Sequence, residues 1–171
     1  MSRLDSAIRR LIAQRDCLTH AAGLISGVEG VVLELGLGNG RTFDHLREVL
    51  PDREIYVFER KVAAHPDCVP HRDHLILGDV CEGLARMRPR LAGRVALAHI
   101  DLASGDAPSS DRLFAGIPPL LSPLMLCGGI IISERELPDT AWTKLELPAG
   151  VHHGRYWIYG CASGTPANGR E

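Results

Sequence analysis

Two hydrophobic periods alternate along the chain, one typical of helices and the other of buried strands. Apolar residues recur at spacings of three, four and seven over residues 4–25, which predicts an amphipathic helix. Residues 31–35 (VVLEL) form an apolar run that the acid Glu34 interrupts, and such a run is typical of a buried strand. The helical period returns over residues 42–50, and we expect Pro51 to end that helix.

The same alternation continues to the end of the chain. Proline predicts a break near Pro89 in one later helix and a bend or stop at Pro118 and Pro119 in the next. The sequence Cys127-Gly128-Gly129 predicts a turn before the fifth strand. The remaining predicted elements are strands over 54–59, 74–77, 94–102, 130–132, 144–147 and 155–161, and helices over 80–92 and from about residue 110.

Strands that alternate with helices predict an α/β domain with a doubly wound, mostly parallel sheet, because parallel neighbours require crossover connections. We expect seven strands, helices on both faces and a C-terminal antiparallel hairpin. Residues 1–28 are assigned to an N-terminal helix that serves as a lid or interface element, 29–163 to the ligand-binding domain, and 164–171 to a disordered tail. The connection over 134–143 is too short for a full helix, which leaves part of the sheet for the N-terminal helix or a second subunit to cover.

Composition and charge disfavour several classes of partner. The chain has 171 residues, 45% of them hydrophobic, and a formal net charge of −2, so it offers nucleic acid no overall basic field, although residues 86–94 hold four arginines. The N-terminus alternates charged and apolar residues, which matches neither a signal peptide nor a membrane span. Five irregularly spaced cysteines predict reduced thiols and a cytoplasmic location.

Acidic residues follow the first four predicted strands. In an open α/β sheet, ligands bind beyond the carboxyl ends of the strands, near the point where strand order reverses. Glu34, Glu59, Asp79 and Asp101 all fall at such ends, and a glycine turn over 36–40 (GLGNG) follows the first strand. One edge of the sheet is therefore predicted to carry four acids beside a turn that brings the backbone close to a ligand.

Two nucleotide-type ligands are candidates for this edge, a dinucleotide and a nucleoside that carries positive charge. The dinucleotide fingerprint G-x-G-x-x-G/A requires a small residue where this chain has Arg41. A carboxylate at Glu34 about 5 Å from a pyrophosphate charge would cost about 3 kcal/mol at an effective dielectric of 20, and the sign reverses for a cation. S-adenosylmethionine (SAM) carries a sulfonium and an ammonium group and no phosphate, so the pattern favours it. Glu59 would bind ribose hydroxyls in either case.

In order and spacing, the glycine turn, the acids Glu59, Asp79 and Asp101, and the pair Gly128-Gly129 resemble the class I SAM-dependent methyltransferases. The resemblance covers about residues 29–161, and the compact core with its N-terminal helix looks like a small bacterial branch. It implies that the glycine turn lines the methionine portion of SAM, Glu59 the ribose, Asp79 the adenine and Asp101 the methionyl end. The full set of predicted cofactor-binding residues is Glu34, Gly36, Gly38, Asn39, Gly40, Glu59, Arg60, Gly78, Asp79, Val80, Asp101 and Leu102.

Structural roles compete with the predicted ligand roles. Asp79-x-x-Glu82 is close to a capping box, so Asp79 is also a candidate helix N-cap, and the two roles are compatible. Asp101 could instead begin an Asx turn into residues 104–106. The glycines could serve only a tight turn, and Glu59 could be a solvated strand end.

The resemblance implies a transferase that moves a methyl group to a small-molecule acceptor by in-line displacement. Such a reaction needs alignment, exclusion of water and, where the nucleophile is protonated, a base. Asp101, His152 and His153 are the predicted catalytic residues, since histidine changes charge close to neutral pH. Other polar candidates on the same edge are His99, Ser133, Glu134 and Tyr156. A SAM-binding module without turnover and an NAD(P)-dependent oxidoreductase remain as alternatives.

Four potential zinc ligands recur every three residues, namely His65, Cys68, His71 and His74. Pro66 and Pro70 prevent one helix from presenting all four, so a polar surface connection is the better interpretation and no metal is predicted. The fourth strand ends in HIDL and not in an Asn/Asp-Pro-Pro-aromatic motif, which argues against base N-methylation by that route. We therefore expect a small-molecule partner and no membrane. Nucleic acid is a disfavoured partner, and a homodimer is possible.

Overall fold

The computed structural model describes residues 2–102, 107–138 and 141–162. Ser2 and Asp5 form a capping box at the start of the first helix, which begins one residue before its predicted start. The α-helices are α1 (Arg3–Leu24), α2 (Arg41–Val49), α3 (Val80–Leu91) and α4 (Ala107–Leu121). The strands are β1 (Val31–Leu35), β2 (Ile55–Glu59), β3 (Leu75–Leu77), β4 (Val95–Ile100), β5 (Met125–Ser133), β6 (Thr143–Leu145) and β7 (Trp157–Gly160).

One seven-stranded sheet with the order β3-β2-β1-β4-β5-β7-β6 organises the molecule. Strands β1 to β5 are parallel, and β7 runs antiparallel to both β5 and β6. This confirms the predicted doubly wound sheet with a C-terminal hairpin. The strand order reverses between β1 and β4, so their carboxyl ends form the crevice in which such sheets bind ligands.

Alternate residues of each strand pack on opposite faces of the sheet. Leu33 of β1 belongs to the apolar cluster that includes residues of α3 and α4, whereas Val32 belongs to the cluster that includes residues of α1 and α2. Cys17 and Leu18 of α1 are fully buried in the second cluster together with Ile132 of β5. The helix α1 therefore covers one face of the sheet, whereas the predicted division into 1–28 and 29–163 stays a prediction.

Proline interrupts the helices less than the sequence predicts. Helix α3 continues through Pro89, because the fully buried Leu91 and a bond from the Ala92 N–H to the Arg88 carbonyl hold its last turn. Helix α4 likewise continues past Pro118 and Pro119 to Leu121. The predicted break near Pro89 is therefore wrong, since packing of the last turn outweighs the missing N–H donor. Of the predicted bend or stop at Pro118 and Pro119, the stop is wrong.

The predicted turn at Cys127-Gly128-Gly129 is an irregularity inside a longer strand. Strand β5 starts at Met125, and the register with β4 shifts between the pairs Val95–Met125 and Leu97–Ile130. Gly128 has φ +77°, which suits the extra residues of such a bulge. The glycines thus bend a strand and do not precede one.

The connections from β2 to β3 and from β5 to β6 agree with the sequence-based expectations, whereas two predicted segments fall outside the described residues. Two 3-10 turns, Pro66–Cys68 and Arg72–His74, connect β2 to β3. Between β5 and β6, residues 134–138 and 141–142 contain no helix. The predicted tail, 164–171, and the alternative Asx turn over 104–106 fall outside the described residues. Within the part of the chain that is described, no helix is long and apolar enough to cross a bilayer.

Candidate functional site

A cleft of about 570 Å³ opens beside the carboxyl ends of β1, β2 and β4. It lies at the strand-order reversal, where the sequence predicts the cofactor. The residues that line it are Gly36, Gly38, Phe58, Glu59, Arg60, Lys61, Gly78, Asp79, Val80, Asp101, Leu102 and Leu113. Most of the predicted cofactor-binding residues are thus brought together in one cavity.

Gly36 allows β1 and β4 to approach each other at the floor of the cleft. Its N–H donates to the Phe58 carbonyl at 2.9 Å, and its φ of +98° lies in the region that favours glycine. A Cβ atom at this position would lie 2.1 Å from the carbonyl oxygen of Asp101. No other residue type fits here without moving backbone, so the glycine is required by a close approach of two strands.

The Glu59 carboxylate joins two turns that border the cleft. One oxygen accepts the N–H groups of Leu37 and Gly38 at 2.8 and 3.1 Å, and the other accepts those of Arg60 and Lys61 at 2.7 and 3.0 Å. Partial burial raises the pKa of Glu59, but these four backbone donors outweigh it and lower the pKa below its usual value. Glu59 therefore stays ionised and fixes the glycine turn against the end of β2.

Asp79 combines a structural role with a position in the cleft. Its Oδ1 accepts the N–H groups of Cys81 and Glu82 at 2.9 and 3.2 Å, which makes it the N-cap of α3. Its Oδ2 lies 3.9 Å from a guanidinium nitrogen of Arg60, another lining residue. The predicted capping alternative is therefore present, and Asp79 lines the cleft as well.

A smaller cavity of about 230 Å³ continues from the cleft beneath α1, and it shares Gly36, Gly38 and Asp101 with the cleft. The amide nitrogen of Gln14, a residue that is only 5% exposed, donates to Asp101 Oδ2 at 2.5 Å. Other residues that line this cavity are Arg10, Leu11, Leu37, Asn39, Arg41 and Thr42.

Arg10, Gln14 and Arg41 line this cavity but are not among the site residues that the sequence predicts. One signal was available, because Gln14 is a polar residue on the apolar side of α1, beside the buried positions Ala13 and Cys17. A single polar position, Gln14, is thus the local sign that α1 contributes a side chain to the site.

Glu34 lies beneath the cleft and does not line it. Its side chain is fully buried, and its Oε2 accepts Nδ1–H of His99 at 2.7 Å, while Oε1 accepts the hydroxyl of Thr42. Burial lowers the pKa of His99, but the adjacent Glu34 carboxylate outweighs it and raises the pKa above its usual 6.5. The predicted acid at the glycine turn is therefore paired with a buried histidine, and Asp101 is an acid that lines both cavities together with Gly36.

Gly40 has a packing role at the start of α2 and does not line either cavity. A Cβ atom there would lie 2.5 Å from the Cβ atom of Cys68, in the first 3-10 turn.

The histidines of the potential zinc-ligand series make local contacts. The Nδ1 atoms of His65 and His71 accept backbone N–H groups within their own turns, at 3.3 and 3.5 Å. In the ranges 2–102, 107–138 and 141–162, no group of three or more His, Cys, Asp or Glu side chains is arranged to hold a metal ion.

The other catalytic candidates divide between two places. His152 and His153 line a separate cavity of about 470 Å³ on the other flank of α1 and do not line the cleft. Tyr156 is buried and stacks on His99 with ring centroids 6.2 Å apart, and its burial raises the pKa of the phenol. Ser133 is fully buried, and its hydroxyl accepts the N–H of Arg135 at 3.3 Å.

Comparison with known proteins points to one family. Residues 1–161 match a family model described as S-adenosyl-L-methionine methyltransferase. The chain is 44% identical to an S-adenosyl-L-methionine methyl transferase from Silicibacter pomeroyi DSS-3, with a TM-score of 0.88 over 94% of this chain and 98% of that one. Its fold is also similar to that of human methyltransferase-like protein 13 in complex with SAH, with 13% identity and a TM-score of 0.56 over 95% and 84% of the chains. Comparison with curated proteins finds no match.

Proposed function

Because the chain belongs to the S-adenosyl-L-methionine methyltransferase family, we propose that it moves the methyl group of SAM to a small-molecule acceptor by in-line displacement. The observation that carries the proposal is the cleft at the carboxyl edge, together with the family match over residues 1–161. Family membership also decides against the dinucleotide-dependent oxidoreductase.

The residues of the cleft fit a cationic nucleoside better than a dinucleotide. The volume of about 570 Å³ is in the usual range for a small-molecule site. The acidic residues Glu59, Asp79 and Asp101 line it, together with the cationic residues Arg60 and Lys61. Three acids around one cleft favour a ligand that carries a sulfonium and an ammonium group over one that carries two phosphates.

Each part of the lining has a proposed task. Glu59 orients the ribose, Gly78, Asp79 and Val80 border the adenine, and Gly36 leaves room for the methionine portion. Arg10 and Arg41 line the smaller cavity next to Asp101, so we assign them to the methionine carboxylate. The predicted direct contact of Glu34 is replaced in this proposal by a supporting role beneath the turn, through Thr42 and His99.

The helix α1 is proposed to exclude water from the reacting groups. Its residue Gln14 is bonded to Asp101 at the edge of the cleft, so the helix forms one wall of the smaller cavity. When bound, SAM would supply a methyl carbon activated by its sulfonium, so that an acceptor nucleophile could bond to that carbon as the carbon–sulfur bond breaks and S-adenosylhomocysteine leaves. The protein's contribution is then alignment and a dry site, and few catalytic side chains are needed.

Among the three predicted catalytic residues, Asp101 lines the cleft, and His152 and His153 line the separate cavity. The catalytic role of all three stays a proposal. A small-molecule acceptor, without nucleic acid or membrane, also stays our proposal, and so does the cytoplasmic location, which is supported by five cysteines that form no disulfide. A homodimer stays open.

The function is tested by incubating the protein with SAM and a panel of metabolites and measuring S-adenosylhomocysteine. We expect saturable SAM binding in calorimetry and product formation with at least one acceptor. Tight SAM binding without any product across a broad panel would favour a binding module. Saturable NADH binding without SAM binding would contradict the cofactor assignment.

Replacement of Glu59 by alanine is expected to weaken SAM binding by about 1–3 kcal/mol, or roughly 5- to 150-fold. The change removes the proposed ribose acceptor and also the carboxylate that fixes the N–H groups of Leu37 and Lys61. Calorimetry of the purified variant measures the loss. Glu48→Ala, at a side chain that is 75% exposed on α2, is the matched control, and equal SAM affinity in both variants would remove Glu59 from the site.

A further inference from the structure

The cavity lined by His152 and His153 is separate from the cofactor cleft and has a basic lining. It has a volume of about 470 Å³ and lies between α1 and the connection from β6 to β7. Pairing of Ser133 with Trp157 places that connection beside the carboxyl end of β5. Its polar lining is Arg9, His152, His153 and Arg155, and no Asp or Glu is among the described residues that line it. Such a lining attracts anions.

Arg9 provides an independent sign that an acceptor group is missing. Its Nε and Nη2 atoms are enclosed, and neither has a hydrogen-bond partner within residues 2–102, 107–138 and 141–162. A guanidinium donor that is removed from water without an acceptor is energetically unfavourable. Other arginines of the chain, such as Arg53, donate to backbone carbonyls at 2.9 and 3.2 Å. An anion in the adjoining cavity would supply acceptors for Arg9.

We propose that this cavity binds a small molecule that carries a carboxylate or a phosphate group, at a site distinct from the cofactor cleft. Arg9 and Arg155 supply planar guanidinium groups, which bind either anion through paired hydrogen bonds. Ile12, Ala13 and Val151 supply the apolar part of the lining, so the ligand has an apolar portion beside its anionic group.

The cavity and the cofactor site share α1 as a wall. Arg9, Ile12 and Ala13 line the proposed anion site, whereas Arg10 and Gln14 line the cavity next to Asp101. This arrangement keeps the two ligands on opposite flanks of one helix. It also lets the two sites be tested separately, because the proposed anion site rests on its own residues and not on the proposed function.

The test is calorimetric titration of the full chain with inorganic phosphate and, separately, with succinate. We expect one of the two to bind with a dissociation constant of about 1 mM or tighter, and Arg9→Gln and Arg155→Gln to weaken that binding about tenfold or more. Arg15→Gln is the matched control, since it removes the same charge from the exposed side of α1. Circular dichroism melts establish that each variant is folded.

Each outcome bears on the proposal directly. Preference for phosphate or for succinate identifies the anionic group. Absence of binding of both anions to the wild type overturns the site, and so does equal weakening in Arg9→Gln and Arg15→Gln. SAM is titrated into the same samples, so failure of the anion site with normal SAM binding leaves the proposed function intact.

Discussion

Replacement of His99 by leucine is expected to destabilise the fold by about 3–5 kcal/mol, because it leaves a buried carboxylate without its charged partner. Glu34 and His99 are both fully buried, and the bond between them is 2.7 Å long. After the change, the hydroxyl of Thr42 is the remaining side-chain partner of Glu34 among the described residues. Urea unfolding of the variant and the wild type measures the difference.

A double variant separates the loss of the pair from the loss of packing. Glu34→Gln combined with His99→Leu removes both charges, so we expect it to be more stable than His99→Leu alone. If the single and double variants unfold at the same urea concentration, the ion pair contributes no stability. The loss of unfolding free energy in His99→Leu then comes from altered packing of the core.

The same pair predicts how stability depends on pH. Because the pKa of His99 is raised in the folded state, the native protein binds its proton more tightly than the unfolded chain does. The stabilisation is therefore complete below the usual pKa of 6.5 and is lost as pH rises through the raised value. The difference in unfolding free energy between wild type and His99→Gln should fall as pH rises above 6.5, and a difference that grows with pH would contradict the assignment.

The sequence predicted the acids at the edge of the sheet, but it did not predict the pairing of Glu34 with His99. Local patterns identified each strand and placed Glu59, Asp79 and Asp101 at the edge that the structure lines with them. Burial of Glu34 depends on His99, which is 65 residues away in sequence and joins it only because β1 and β4 are neighbours. The sequence pattern shows that Glu34 lies at the end of a strand, but it does not show that His99 lies beside it. The pattern therefore could not decide whether the Glu34 carboxylate contacts the ligand or pairs with a core residue.

Long-range packing explains the other differences as well. Gly40 has the spacing of a ligand-binding glycine, but its conformation serves contact with Cys68, which a separate turn carries. Pro89 predicts a helix break, but burial of Leu91 holds the turn that follows it. The bond between Gln14 and Asp101 spans 87 residues and was likewise beyond local pattern. In each case a tertiary contact that the local pattern does not show decides the role of the residue.

Replacement of Gly36 by alanine is expected to have the largest effect on both fold and cofactor binding. The positive φ of +98° would strain the alanine by about 1–3 kcal/mol. Its Cβ would meet the Asp101 carbonyl oxygen at 2.1 Å, which forces backbone to move and adds about 1–3 kcal/mol of overpacking. Because this contact joins β1 to β4 at the floor of the cleft, we expect SAM binding to be lost in calorimetry even at temperatures where the variant is folded.

Gly38→Ala is the matched control, because it shares the positive φ but not the clash. Gly38 has φ +53°, and a Cβ atom there meets nothing within 4 Å. We expect Gly38→Ala to lower the melting temperature by the strain alone and to retain measurable SAM binding, while Gly36→Ala loses both more stability and the binding. Similar melting temperatures and SAM affinities in the two variants would show that the close approach of β1 and β4 at Gly36 is not what shapes the cleft.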